Sequence, residues 1–226
     1  TNNLFQAAPL VVTKAHLAQE GKAQAIVVNS GVANAAMGKQ GIHDAEAVAK
    51  TLADTFALPE QYTIVASTGV IGMPLPVDKI NAGIAKAKDA LQPLAESAEA
   101  ASRGIMTTDT VPKTASATIT IDGTEVHFWG MCKGAGMIHP NMSTMLGFVL
   151  SDAAIESPLL AQALSDAIGD SFNMISVDGD TSTNDMVTVL ANGCAENAPI
   201  TDAKSEDYQR FAAALKEVCV SLAKQI

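Results

Sequence analysis

The residue pair with the most distinctive chemistry in this sequence is Ser143-Thr144, which lies just before an apolar run at 146–150. A threonine hydroxyl can attack the carbonyl of the preceding residue, so that the acyl group moves from nitrogen to oxygen and water hydrolyses the ester. The product is a threonine with a free α-amino group. The reference pKa of that amine is about 7.7–8.0, which suits it to act as base for its own hydroxyl. A second interpretation stays open, in which Thr144 simply begins a strand, where threonine is favoured.

Other residues have types that suit the same acyl chemistry. Thr68 and Gly69 follow a short apolar run, and a turn there could direct backbone N–H groups and a hydroxyl at an oxyanion. Thr107 lies in a polar stretch, and Lys133 is a lone cation among Met, Cys and Gly. Each has an ordinary alternative: a strand-end turn for Thr68 and Gly69, a polar loop for Thr107, and a surface lysine whose stem covers apolar neighbours for Lys133.

Metal chemistry has little support in the sequence. Asp178, Asp180 and Ser182 occupy the first ligand positions of an EF-hand pattern, but Thr183 replaces the required glycine and Val189 the bidentate glutamate. No histidine pairs with a cysteine or an acid at the spacing of metal ligands; the four are His16, His43, His127 and His139. We therefore predict no metal site.

The composition excludes several classes of partner. The chain has 14 basic and 24 acidic residues, a net charge of −10, and no long basic run, which argues against nucleic acid and anionic membranes. No apolar stretch reaches the roughly 18–20 residues of a membrane-spanning helix. Cys132, Cys194 and Cys219 are odd in number and form no CxxC pair, so we expect reduced thiols packed in the core of a cytoplasmic protein.

The apolar pattern predicts interleaved strands and helices, and hence a mixed α/β (α+β) sandwich. Asp122-Gly123 between two alternating runs predicts a tight hairpin. The chain opens at Thr1 without a Met, and the final helix keeps its apolar stripe in phase to Ile226 without a stop signal. Residues 1–226 are therefore interpreted as one catalytic-domain fragment truncated at both ends. The predicted strands are 24–29, 63–67, 117–121, 124–129, 146–150 and 186–191. The predicted helices are 44–58, 77–91, 94–103, one from Ser157 whose buried face reaches Phe172, and 205–226. The segments 30–41, 68–76 and 174–185 are predicted to be loops.

Five segments taken in order resemble the ornithine acetyltransferase (glutamate N-acetyltransferase) family, and the resemblance extends over nearly the whole sequence. The most specific of them surrounds Ser143-Thr144. The segments are NSGVANA at 29–35, STGVIG at 67–72, GIMTTDTVPK at 104–113, KGAGMIHPNMSTML at 133–146 and FNMISVDGDTSTND at 172–185.

The resemblance implies an αββα sandwich, and a precursor that cuts itself between Ser143 and Thr144 into an α chain, 1–143, and a β chain from 144 onward. It implies that the two chains stay together, typically as an α2β2 heterotetramer. It further implies that Thr144 is the nucleophile, that Thr68 and Gly69 supply the oxyanion hole, and that Thr107 and Lys133 contact the substrate.

The reaction implied by the resemblance belongs to arginine biosynthesis. Acetyl passes from N-acetylornithine to Thr144 and then to glutamate, with no diffusible cofactor, and acetyl-CoA is a conceivable alternative donor. Ser143 stands where the family commonly has alanine, which leaves the cleavage rate open. The C-terminal substrate ligands of the family are absent from this sequence, which leaves open whether the fragment is active by itself. The alternative reading is a threonine-nucleophile aminopeptidase or amidase with water as acceptor; a non-catalytic binding protein is a third.

Overall fold

The computed structural model describes residues 3–137 and 145–226. The chain divides into two compact units, the first formed by Thr1–Asp109 with Ser182–Met186 and the second by Thr110–Thr181 with Val187–Ile226. Each unit has its own hydrophobic core and its own sheet. Among the described residues, no helix has both the length and the apolar character needed to cross a bilayer.

The first unit packs helices against a two-stranded parallel sheet. Its strands are β1 (Ala25–Val32) and β2 (Thr63–Val70), and its helices are α1 (Ala8–Glu20), α2 (Gly38–Phe56), α3 (Val77–Ala90) and α4 (Ala95–Gly104). The apolar stripe of α2 carries Val48 and Leu52, which pack with Val65 of β2 and Ile84 of α3. The predicted helix therefore exists but begins at Gly38 rather than at residue 44.

Helix α1 was not predicted, and its buried face explains why. That face includes the polar side chains of Thr13 and His16, which interrupt the apolar stripe expected of a helix. Both side chains bond to the outer edge of β2. Thr13 Oγ1 donates to the Val65 carbonyl at 2.9 Å and accepts from the Val65 amide at 3.1 Å, while His16 Nδ1 lies 2.9 Å from the Thr63 carbonyl. Helix α1 thus satisfies backbone groups that an uncovered strand edge would leave open.

The second unit is built on a four-stranded sheet in the order β3-β4-β5-β6, in which β3 to β5 pair antiparallel. Two helices accompany it, α5 (Ser157–Gly169) and α6 (Glu206–Ala223). Helix α6 packs on the sheet, and the tilted rings of Phe211 and Phe128 are in contact with their centroids 5.0 Å apart. The strands are β3 (Lys113–Ile121), β4 (Thr124–Lys133), β5 (Leu146–Ser151) and β6 (Met186–Ala191).

The predicted hairpin is confirmed. Ile121 pairs with Thr124, and both turn residues have positive φ, 46° for Asp122 and 80° for Gly123, as a primed turn requires. Both strands are longer than predicted, because their pairing continues to Lys113 opposite Cys132.

Two helix ends differ from the predictions. Helix α6 ends at Ala223, not at Ile226, and the Gln225 side chain bonds to the Thr114 and Ser221 carbonyls just beyond that end. Phe172 is buried as predicted, but it lies in a short 3-10 turn after α5 because α5 stops at Gly169.

Candidate functional site

Thr68 lies inside β2 rather than in a turn after the strand, which corrects the predicted loop at 68–76. Both parallel strands continue three residues beyond the predicted ends, with Ser30 opposite Thr68 and Gly31 opposite Gly69. The Thr68 side chain is 0% exposed, and its Oγ1 has no hydrogen-bond partner among the described residues. Most buried hydroxyls are paired, so this one is a candidate ligand-binding group.

Gly69 approaches Gly31 more closely than any other residue type would permit. Its φ is +129° and that of Gly31 is +106°, both outside the range of an ordinary strand. A Cβ added to Gly69 would lie 2.2 Å from the carbonyl carbon of Gly31. Glycine is required at position 69 both by φ and by this backbone contact.

Asn184 links the ends of the two strands. Its side chain is buried, and Nδ2 donates to the carbonyl oxygens of Ala33 and Ser67, both at 2.7 Å. Its Oδ1 accepts from Thr183 Oγ1 at 2.6 Å. The Ser67 carbonyl belongs to the peptide group that precedes Thr68, so this amide fixes the backbone at the start of the candidate site.

Sequence reasoning missed Asn184. It lies in the segment 174–185, which was predicted only as a polar loop. The available signal was its place in the FNMISVDGDTSTND segment, one of the five that carry the family resemblance.

A second asparagine holds the same two strands from within β1. Ser67 Oγ donates to Asn29 Oδ1 at 2.6 Å, and Asn29 Nδ2 donates to the Val32 carbonyl at 2.9 Å. Beyond the strands, the amide of Ala33 donates to the Val70 carbonyl at 2.9 Å. The segments 29–35, 67–72 and 182–186 therefore form one hydrogen-bonded network within the first unit.

Thr107 lies in an exposed loop of the same unit, consistent with the polar loop predicted there. Its amide is 3.3 Å from Asp109 Oδ2, which accepts its hydrogen bond. The segment is also tied to β1, because Ser30 Oγ donates to the Gly104 carbonyl at 3.1 Å. The segment GIMTTDTVPK, one of the five that carry the family resemblance, is thus bonded to β1 near the end of that strand.

Lys133 is buried, which corrects its interpretation as a surface lysine. It is the last residue of β4, is only 1% exposed and pairs with Leu146, the first residue of β5. Ser143 and Thr144, with His139, lie outside the described residues. Just before that segment in the sequence, Asp178 Oδ2 accepts a hydrogen bond from the backbone N–H of Met137, and Met137 has a φ of 54°.

The cysteines follow their prediction in part. All three lie in the described ranges and none forms a disulfide. Cys132 and Cys219 are buried as expected, whereas Cys194 is exposed, because it lies in a turn after β6 rather than in an element that packs on the core. Burial raises the pKa of the Cys219 thiol to about 12.

A separate apolar groove lies beside β1 in the first unit. It has a volume of about 750 Å³ and is lined by Gln24–Asn29 with side chains of α2 and α3, among them Phe56 and Ile84. Neither Thr68 nor Asn184 lines it. Within residues 3–137 and 145–226, no three His, Cys, Asp or Glu side chains gather as metal ligands would.

Comparisons with known proteins place this geometry in context. A model of the ArgJ family matches residues 1–226. The arginine biosynthesis bifunctional protein ArgJ of Symbiobacterium thermophilum is 52% identical over 226 residues, which make up 100% of this chain and 55% of that protein. The chain thus spans about half the length of the curated relatives it matches.

Two solved structures resemble the chain. The crystal structure of arginine biosynthesis bifunctional protein ArgJ from Bacillus halodurans is 48% identical, with a TM-score of 0.59, over 63% of this chain and 74% of that one. The structure of ornithine acetyltransferase complexed with ornithine from Mycobacterium tuberculosis is 33% identical, with a TM-score of 0.55, over 62% and 74%. These matches confirm the mixed α+β fold that the apolar pattern predicted.

Proposed function

Since this chain belongs to the ArgJ family, we propose that it carries catalytic residues of a glutamate N-acetyltransferase (ornithine acetyltransferase) of arginine biosynthesis. The reaction moves acetyl from N-acetylornithine to glutamate. The observation that carries the proposal is the Thr68 hydroxyl, which is fully buried and has no partner in the described part of the chain, beside the backbone of Gly69. A donor held in this way suits the oxyanion that forms when an amide carbonyl is attacked.

The proposed nucleophile is Thr144, released as a new N-terminus by self-cleavage of the Ser143–Thr144 bond. Its hydroxyl attacks the acetyl carbonyl of N-acetylornithine, the amide C–N bond breaks, and the ornithine amine leaves with a proton supplied through the Thr144 α-amine. The amine of glutamate then attacks the acetyl ester. The ester C–O bond breaks, and a proton from the glutamate amine passes through the Thr144 α-amine to the Thr144 oxygen. In this scheme Thr68 and Gly69 stabilise the oxyanion at both stages.

Lys133 and Thr107 are the proposed substrate contacts. A buried ammonium such as that of Lys133 attracts a carboxylate strongly, because little water is present to screen the charges, and both substrates carry carboxylates. The exposed Thr107 offers a hydroxyl from a loop that Ser30 and Asp109 hold in place.

The remaining features of the proposal follow from the resemblance. The α chain (1–143) and the β chain (from 144) stay together, as an α2β2 assembly in the cytoplasm. The transfer cycle uses no cofactor and no metal, because donor and acceptor react through the same threonine. Transfer of acetyl from acetyl-CoA is a separate activity. A transfer assay in which acetyl-CoA replaces N-acetylornithine tests it.

Steady-state kinetics of the full-length protein test the proposal. Ornithine leaves before glutamate reacts, so double-reciprocal plots against N-acetylornithine at several glutamate concentrations should be parallel. Thr144→Ala should abolish both cleavage and transfer, and the C-terminal product of the unmodified protein should begin Thr-Met-Leu-Gly. Intersecting lines would contradict the covalent mechanism. Acetyl release that does not depend on glutamate would instead favour the amidase.

A further inference from the structure

The side chain of Asn184 is placed to control the geometry of Thr68. Its two Nδ2 protons are both used, one on the Ala33 carbonyl just after β1 and the other on the Ser67 carbonyl within β2. Its Oδ1 accepts a hydrogen bond from Thr183 Oγ1, and its backbone N–H donates to Ser182 Oγ at 3.1 Å. The side chain therefore has no freedom to turn away from the two carbonyls.

The contact with Ser67 acts on the backbone of Thr68, which carries the proposed oxyanion hydroxyl and is followed directly by Gly69. The carbonyl of Ser67 and the amide of Thr68 belong to one planar peptide group, so a bond that fixes the carbonyl also fixes the direction of the Thr68 amide. The contact with Ala33 fixes the chain two residues beyond Gly31, whose carbonyl carbon would lie 2.2 Å from a Cβ on Gly69. Asn184 thereby holds both sides of the Gly31–Gly69 contact.

We propose that Asn184 is a positioning residue for the oxyanion site, acting through Thr68 and Gly69; this inference rests on the proposed function. The competing interpretation is that Asn184 only joins two segments of the first unit. The chain offers a matched comparison in Asn197, which is equally buried and also makes two Nδ2 bonds to carbonyls, at 3.2 Å to Ala154 and 2.8 Å to Ala198. Asn197 belongs to the second unit, and within residues 3–137 and 145–226 its side chain bonds to neither Thr68 nor Gly69.

The test is a double-mutant cycle in the full-length enzyme, made from Asn184→Ala and Thr68→Val. Asn184→Ala should lower kcat by roughly 10–100-fold and leave KM for N-acetylornithine within about threefold, because a misplaced oxyanion donor affects the transition state more than substrate binding. In the Thr68→Val background the same change should lower kcat by a clearly smaller factor, because the Thr68 hydroxyl is already gone and only the Gly69 backbone is left to be misplaced. Asn197→Ala should leave kcat within about threefold of the parent enzyme in both backgrounds, because the effects of independent sites do not depend on each other.

Several outcomes would overturn the inference. Asn184 would be a purely structural residue if the effects of Asn184→Ala and Thr68→Val on kcat multiplied fully. The same would follow if Asn197→Ala lowered kcat as much as Asn184→Ala does. If Asn184→Ala does not fold, Asn184→Ser, which can still donate one proton, enters the same cycle with the same criteria. A Thr68→Val enzyme with unchanged kcat, or an unmodified enzyme without acetyl transfer, would refute the proposed function itself, and the inference with it.

Discussion

Two threonines on β2 show what distinguishes a structural hydroxyl from one available for a ligand. Thr63 and Thr68 are both fully buried. Thr63 Oγ1 donates to the Glu60 carbonyl at 2.7 Å, whereas Thr68 Oγ1 has no partner in the described part of the chain. An unpaired buried hydroxyl destabilises a fold by about 1–3 kcal/mol. Such a cost is typical of functional positions, where stability is given up for reactivity.

Replacing each hydroxyl by a methyl group should therefore have opposite effects. Thr68→Val should raise the free energy of unfolding by about 1 kcal/mol, because it removes an unpaired polar group, while kcat falls by about 10²–10³ through loss of an oxyanion donor. Thr63→Val, the control, should lower the free energy of unfolding by about 1 kcal/mol and leave kcat unchanged. Urea unfolding and steady-state kinetics measure both. A Thr68→Val protein as destabilised as Thr63→Val would mean that Thr68 has a structural partner.

The ends of β1 and β2 form the element that carries the site. Each strand departs from regular geometry at a glycine, Gly31 or Gly69, yet the parallel pairing continues to Val32 and Val70. The side-chain bonds of Asn29 and Asn184 hold this irregular stretch. On the edge of β2 that does not pair with β1, Thr13 and His16 of α1 occupy the backbone groups. The strand is therefore fixed along both edges up to the site.

Two glycines near the end of β2 separate the cost of positive φ from the cost of a backbone clash. Gly72 has a φ of +75° and open space where a Cβ would lie, so Gly72→Ala should lower the free energy of unfolding by roughly 1–2 kcal/mol. Gly69→Ala adds an overlap with Gly31, and overpacking of this kind costs a further 1–3 kcal/mol, so a loss of roughly 2–5 kcal/mol is expected. Urea denaturation compares the two variants. Equal losses would contradict the close contact between the strands.

At the scale of the whole molecule, the two units have separate hydrophobic cores. The burial of the cysteines shows which of them belong to the core of the second unit. Cys132 and Cys219 belong to that core, whereas Cys194 is exposed. The pKa of the Cys219 thiol is raised from 9.0 to about 12 because burial disfavours the thiolate. The net charge of −10 affects solubility and the choice of partners rather than the fold.

A thiol titration should distinguish the exposed Cys194 from the buried Cys132 and Cys219. In the native protein one thiol, Cys194, should react with Ellman's reagent at pH 8, and all three should react in guanidinium chloride. The folded state keeps the Cys219 proton between pH 9 and about 12 while the unfolded state loses it, so this group makes the free energy of unfolding fall as pH rises through that window. Cys219→Ala should show a smaller fall over the same range. Fast reaction of all three thiols in the native state would contradict the burial of Cys132 and Cys219.

The sequence by itself determined the features that depend on neighbouring residues. Asp122-Gly123 fixed the hairpin because both residues tolerate the positive φ that the turn requires. The 3.6-residue apolar period located α2 through α6, and the five ordered segments carried the resemblance to the family. Alternation and turn chemistry act over a few residues, and for that reason they can be read without knowledge of the fold.

Only the tertiary structure decided the features that depend on partners far along the chain. Asn184 meets carbonyls 151 and 117 positions earlier, so no local pattern could distinguish it from an ordinary loop asparagine. The burial of Lys133 likewise follows from its place in the ladder beside β5, not from the small residues around it. Thr68 became a candidate catalytic group because β1 extends to pair with it and because packing encloses its hydroxyl without supplying a partner in the described part of the chain. Packing over such separations selects which polar groups are enclosed, and that selection determines the candidate site.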